Sequence, residues 1–181
     1  IGGGYSPDNT DGKAVVAFDV FTGAVIKKFT TFNFSVASTV NIIDENDNGF
    51  VDKIYVGDMG GQIWRIGKFD FDADGNPLSF PASDENINTW TSQVLFRAPT
   101  YVVGATTYTR KFFYPPSVTF EKGFDLVLAG TGDREDACNT TTAPDRIYAF
   151  KDTHLASTWT ETNLVDVTDP AATPPDLSAA D

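Results

Sequence analysis

Apolar residues along this chain fall in short runs separated by polar turns, and no stretch sustains a helical spacing. The runs include Ala14-Val15-Val16-Ala17-Phe18, Ala24-Val25-Ile26, Ile54-Tyr55-Val56-Gly57, Gln62-Ile63-Trp64-Arg65-Ile66, Val127-Leu128-Ala129-Gly130 and Arg146-Ile147-Tyr148-Ala149-Phe150. They are rich in β-branched and aromatic residues and bounded by Gly, Asp and Asn, which predicts strands rather than helices.

Two stretches can be laid over one another, Val36 to Ala98 and Pro115 to Val167. Each opens with a small and β-branched run, Val36 to Ile43 against Pro116 to Phe120. Each continues with an apolar strand ending in glycine, Gly57 against Gly130, and then an aromatic-bearing strand. Each closes with Thr-Trp-Thr-x-x-x-Leu, at Thr89 to Leu95 and at Thr158 to Leu164. The units therefore read as four short antiparallel strands, A to D. The N-terminal stretch supplies part of a third unit: Ile1 to Tyr5 as the end of a B strand, Lys13 to Asp19 as C, a turn at Thr22-Gly23, and Ala24 to Phe29 as D.

Four-stranded repeats of this length predict an all-β fold, a β-propeller. The expected organisation is residues 1–35 as the end of one blade, 36–98 as a second, 99–168 as a third, and 169–181, with Pro170, Pro174 and Pro175, as a flexible tail or linker. About two and a half blades are present where propellers close with roughly four to eight, so this chain is expected to hold part of a ring completed by the remainder of the same polypeptide. It begins at Ile1 without Met or a signal peptide, which also reads as a piece of a longer chain. Loop lengths differ between units, at Thr131 to Asp145 in one and Gly67 to Asn88 in the other, and such variable loops are where function sits.

Composition narrows the picture. Of 181 residues, 25 are acidic and 13 basic, a net charge of −12, and no Lys/Arg cluster marks a phosphate-binding face, so nucleic acid is excluded as an expected partner. Aromatics at 13 % argue against a disordered acidic segment. No apolar run approaches the length of a membrane-spanning helix. The single cysteine, Cys138, excludes an internal disulfide and reads as a packed residue or a surface thiol, with pairing to a cysteine outside the chain as the alternative.

The sharpest chemical signal is Asp44-Glu45-Asn46-Asp47-Asn48-Gly49-Phe50-Val51-Asp52. Alternating oxygen-bearing side chains in a tight loop deliver the six to eight oxygens that Ca2+ takes. Asp44, Asn46 and Asn48 would be side-chain ligands, Gly49 the reversal, Phe50 a backbone carbonyl ligand and Asp52 a carboxylate. Tyr55 stands where an EF-hand carries Glu, so the loop is EF-hand-like in a β context. The plainer alternative is an Asx-rich hairpin turn. The equivalent connection in the later unit is only Glu121 to Asp125, so the acidic loop belongs to one blade. A second candidate, Asp70 to Gly75, has Leu78 at position nine and reads as an exposed turn.

Other residues carry less. His154, the only histidine, reads as a surface loop residue, and one His with one Cys is too few for a transition-metal site. No catalytic residues are expected. Trp64, Trp90 and Trp159 could form a sugar platform, but their repeated positions favour packing between blades.

The stretch Asp44 to Arg65, together with Gly130 to Asp136 and Arg146 to Asp152, resembles the PilY/PilC family of type IV pilus biogenesis proteins, and Lys13 to Gly23 is similar to a blade ending found there. The resemblance implies a C-terminal modified β-propeller with quinoprotein-like blades, a Ca2+ site at Asp44, Asn46, Asn48, Phe50 and Asp52, and no enzymatic activity. It implies an exported protein at the cell surface, outer membrane or pilus tip (fimbrium). Its partners would be pilins or minor pilins and a host or abiotic surface, and its role to support pilus extension against retraction, twitching motility and adhesion. The family often has Asp where Asn46 stands. Two alternatives remain open at this point: a calcium-stabilised lectin-like or integrin-like propeller, and a quinoprotein-type dehydrogenase.

Overall fold

The computed structural model describes residues 1–68, 86–138, 143–155 and 157–168. The described residues are almost entirely strand and loop, with two single-turn 3-10 helices, and none of their helices is long and apolar enough to cross a membrane.

The strands, in chain order, are β1 (Val15–Phe18), β2 (Val25–Phe29), β3 (Asn41–Ile43), β4 (Lys53–Gly57), β5 (Gln62–Gly67), β6 (Thr91–Arg97), β7 (Tyr101–Val103), β8 (Thr106–Tyr108), β9 (Ser117–Glu121), β10 (Phe124–Gly130), β11 (Ile147–Asp152) and β12 (Trp159–Thr160). β1 and β2 form an antiparallel pair, and Gly2 bridges to Val15 where a preceding B strand was expected. β3, β4, β5 and β6 are four consecutive antiparallel strands, the complete second blade. β9, β10 and β11 form a third antiparallel sheet. The hairpin β7–β8 stands between the second and third sheets and was not anticipated from the sequence.

The second blade is buried on both faces, and the two-residue period of its strands sorts its side chains. Ile54, Val56, Trp64 and Ile66 join Val15, Phe29 and Phe32 of the first unit in one apolar cluster. Tyr55 and Ile63 join Val127, Tyr148 and Phe150 of the third unit in another. At the first interface the rings of Phe32 and Trp64 lie 4.6 Å apart. At the second, Phe96 stacks on Phe150 at 5.2 Å. The third sheet buries only the face turned to the second. Asp125, Val127, Ala129, Tyr148, Phe150 and Asp152 are buried, while Ile147 between them is 82 % exposed.

Glycine at the end of β4 has a steric reason. A Cβ on Gly57 would lie 2.4 Å from the Cβ of Phe112, so the connection into the third unit passes directly over this strand end. Gly130, its counterpart in the repeat, has open space instead.

The Thr-Trp-Thr element requires a correction. It was expected to open the fourth antiparallel strand of each unit. In the second unit β6 follows Trp90 as expected. In the third, β12 does not pair with β11. It runs parallel to β6, with Trp159 opposite Phe96 and Thr160 opposite Arg97. A 3-10 turn at Glu161–Asn163 ends it at once, with Asn163 accepting from the Thr160 N–H at 2.9 Å. Glu161 is then drawn to Arg110 and Arg146, each at 3.0 Å.

Both tryptophan segments in fact lie against the outer strand of the preceding unit. Beside β2, Lys27 Nζ donates to the Asn88 carbonyl at 2.9 Å, and Trp90 is buried with Phe29 and Val15. Beside β6, Trp159 packs on the cluster that holds Phe96. The repeat thus marks a clasp between neighbouring blades, in keeping with the expected role of these tryptophans.

Trp90 is buried and Trp159 half-buried. Trp90→Ala should therefore destabilise by about 3–5 kcal/mol, the usual range for a fully buried large aromatic, and Trp159→Ala by less. Urea unfolding of the two variants checks the order; a larger cost for Trp159 would contradict the clasp geometry.

Candidate functional site

The loop between β3 and β4 is held by its own side chains. Asp44 Oδ1 accepts from the Asn48 N–H at 3.1 Å and Oδ2 from the Gly49 N–H at 2.7 Å. Asn46 Oδ1 accepts from the same Asn48 N–H at 3.1 Å, and Asn48 Oδ1 accepts from the Phe50 N–H at 2.9 Å. Asp52 Oδ2 accepts from the Glu45 N–H at 2.7 Å, closing the loop end to end, and the Asp52 N–H donates to the Ile43 carbonyl at 2.8 Å. Asp47 and Gly49 take positive φ, 56° and 90°. Such interlocked Asx turns are what alternating Asp and Asn dictate.

The oxygens of Asp44 and Asn46 meet at one backbone nitrogen, so two of the expected ligands already share a small volume. Asp52 is buried at the loop's base, while Asn46 and Asn48 are exposed and the Phe50 ring is turned to solvent. The donor set is all oxygen, carboxylate and amide, which fits a hard cation such as Ca2+ and not a thiolate- or imidazole-seeking metal. Each carboxylate oxygen has a second lone pair beyond the hydrogen bond it accepts, so these bonds do not disqualify it as a ligand. The second acidic candidate, Asp70 to Gly75, lies outside the described residues.

A larger constellation, which the sequence did not reveal, begins one residue after this loop. Lys53 is fully buried at the start of β4 and faces the third sheet. Its Nζ lies 3.0 Å from Glu45 Oε2 of the loop and 2.5 Å from Asp125 Oδ2 of β10. Tyr55 OH lies 2.7 Å from Asp125 Oδ2 and 2.7 Å from Asp152 Oδ2. Arg65, also fully buried, pairs with Asp152 and donates to Gln93 Oε1 at 2.6 Å. Strand register explains the assembly: Tyr55 is opposite Arg65, and Asp125 is opposite Asp152.

His154 completes the group, which corrects its reading as a surface histidine. Its side chain is largely buried, its Nε2 lies 3.1 Å from Asp125 Oδ2, and its N–H donates to Asp152 Oδ1 at 2.8 Å. Its φ of 63° places the ring back over the network.

Asp125, Asp152 and His154 offer ligand atoms within 4.8 Å of one another, the spacing of a metal site. Lys53 and Arg65 already supply two positive charges to the two carboxylates, so a cation there would meet like charge at short range. The group is an ion-pair lock between sheets. The signal that could have found it is charge at inward positions of otherwise apolar strands, Lys53 and Arg65 on one side and Asp125 and Asp152 on the other.

Electrostatics separates two buried aspartates. For Asp125, burial works to raise the carboxyl, but hydrogen bonds from His154, Lys53 and Tyr55 and the Lys53 charge outweigh it, and it is lowered to about 2. Burial, reinforced by the charges of Asp152 and Asp125, raises Tyr55 far above the usual phenol range. Asp58, in the turn after β4, accepts from Trp64 Nε1 at 2.8 Å and from the N–H groups of Gly60 and Gln62 at 2.9 and 3.0 Å. Burial outweighs these bonds and pushes it up to about 6.

Comparison with known proteins adds a family frame. A family model described as the PilY1 beta-propeller domain matches residues 1–168. A protein named type IV pilus biogenesis factor PilY1, from Pseudomonas aeruginosa (strain UCBPP-PA14), is 30% identical over 170 residues, covering 83% of this chain and 14% of its own length. The crystal structure of the Pseudomonas aeruginosa PilY1 C-terminal domain superposes with a TM-score of 0.56 at 22% identity, covering 86% of this chain and 35% of that one, and shows a shared fold. The chain thus spans about a seventh of the curated relative and about a third of the solved domain.

The two aspartates give opposite pH dependences. Asp58 sits above its ordinary 3.8 in the folded state, so its contribution is full below that pH and lost as pH rises through about 6. Asp125 sits below 3.8, so its contribution is full above that pH and lost as pH falls through about 2. Thermal melts across pH should show Asp58→Asn flattening the loss between pH 4 and 7, and Asp125→Asn flattening the acid limb. At neutral pH, Asp125→Asn should cost about 3–5 kcal/mol, because it breaks the buried ion pair between Lys53 and β10.

Proposed function

Since this chain belongs to the PilY1 β-propeller domain family, we propose that it is a calcium-binding propeller module of a type IV pilus biogenesis protein. The observation that carries the calcium reading is the convergence of Asp44 and Asn46 oxygens on one loop nitrogen, with Asp52 closing the same loop. Asp44, Asn46, Asn48 and Asp52 would bind through side chains and Phe50 through its carbonyl. When bound, Ca2+ would neutralise carboxylates crowded into one turn and hold the loop in one arrangement.

The pilus reading rests on the family and on the relative named for pilus biogenesis. In that setting the module is exported and pilus-associated, at the cell surface or pilus tip. It works with pilins or minor pilins and supports extension against retraction, twitching motility and attachment to surfaces. It acts by binding, not by catalysis: the buried Lys53, Arg65, Asp125 and Asp152 are paired with one another across the sheets. Loop ordering by calcium would be the switch, an order–disorder change presented to a partner.

Two neutral amide ligands lower the charge of the site, so affinity should fall below that of high-affinity calcium buffers. Calorimetric titration of the chain with Ca2+ should give heat that the double variant Asp44→Ala, Asp52→Ala does not. Equal heats would remove the loop as the site. In the bacterium, full-length protein carrying Asp52→Ala should alter surface piliation and twitching; unchanged behaviour would remove the switch.

A further inference from the structure

Lys53 connects two things that are separate in the sequence. On one side it holds Glu45, which sits inside the acidic loop and whose N–H is bound by the proposed ligand Asp52. On the other it holds Asp125, which belongs to the next sheet, 72 residues further along the chain. The ammonium is fully buried, and both carboxylates contact it directly. The path from loop to neighbouring sheet is therefore a continuous run of polar contacts: Asp52 to the Glu45 N–H, the Glu45 carboxylate to Lys53, Lys53 to Asp125, then Tyr55, Asp152 and Arg65.

We infer that Asp125 is a positioning residue for the calcium loop, acting through Lys53 and Glu45, so that calcium binding and closure of the second sheet on the third are thermodynamically coupled. This rests on the calcium reading above. Two physical effects act in the same direction. Asp125 offsets part of the Lys53 charge, which otherwise bears more strongly on the acidic loop through Glu45. Asp125 also anchors Lys53 away from the loop; without it, Glu45 becomes the lysine's remaining carboxylate partner in this pair of ion contacts, and the loop backbone that Glu45 shares with Asp52 is pulled out of place. Coupling is reciprocal: whatever Asp125 does for calcium affinity, calcium does for the Asp125 contact.

The experiment is Ca2+ titration calorimetry on the wild-type chain, Asp125→Asn, Tyr55→Phe, Glu45→Gln and the double variant Glu45→Gln, Asp125→Asn. Asp125→Asn should weaken calcium binding by about fivefold or more, the usual lower bound of a genuine coupling. Tyr55→Phe keeps the packing and removes one hydrogen bond to Asp125, so it should weaken binding in the same direction even where Asp125→Asn fails to fold. In the Glu45→Gln background the effect of Asp125→Asn should shrink, because the connection to the loop is already cut. In the reciprocal measurement, calcium should slow amide exchange along β10 and β11 in the wild type and not in Glu45→Gln.

A purely structural Asp125 would lower melting temperature and leave the calcium dissociation constant of the folded protein unchanged. Wild-type affinity in both Asp125→Asn and Tyr55→Phe would overturn the coupling and leave the calcium site standing. Absence of calcium heat in the wild-type chain would overturn the calcium reading, and the coupling with it.

Discussion

The arrangement of the described sheets depends on one requirement: two cations, Lys53 and Arg65, are built into a blade that is buried on both faces. Taking such charges out of water costs several kcal/mol each unless a counter-charge and further hydrogen bonds meet them. The third sheet meets them with Asp125 and Asp152, placed opposite one another by the β10–β11 register. Everything else at that interface follows. Phe96 stacks on Phe150, Tyr55 spans the two carboxylates, and His154 turns back on Asp125. The interface with the first unit carries no such demand and is closed by Phe29, Phe32, Trp64 and Trp90.

Much of the fold was legible because it is local. The short β-branched and aromatic runs at Ile54 to Gly57 and Gln62 to Ile66 predict strands, and the paired units predict a propeller. What was not legible is which neighbour a strand joins. Thr158 to Leu164 shares its pattern with Thr89 to Leu95, yet β12 adds to the edge of the preceding blade in parallel. A sequence repeat records that two segments do the same job, and here that job is burying a tryptophan between blades. The inference from common pattern to common strand position failed because pairing depends on contacts outside the motif, such as those of Glu161 with Arg110 and Arg146.

The candidate site divides the same way. The Asp44 to Asp52 loop was legible because nine consecutive residues contain its donors, and Asx side chains bond to backbone two to five residues on. The network beyond it was not, because its partners are 70 to 97 residues apart, as Tyr55 to Asp125 and to Asp152 show. A single histidine in a loop offers no signal of burial, and only the register of β10 and β11 brings Asp125 and Asp152 together beside it. Charged residues at the inward-facing positions of apolar strands were the one available clue.

That clue also bears on how a repeat fold orders its parts. Every blade presents a similar apolar face, and apolar packing is non-directional, so it does not by itself determine which sheet lies beside which. Lys53 and Arg65 change this. An apolar face brought against them would strand two buried charges, a penalty comparable with the net stability of a domain. Among the described residues, the third sheet answers with carboxylates at the matching height, whereas the β1–β2 pair presents Val15 and Phe29 to the opposite face of the blade. The ion-pair lock therefore assigns neighbours, and it does so at the end of the blade from which the acidic loop springs.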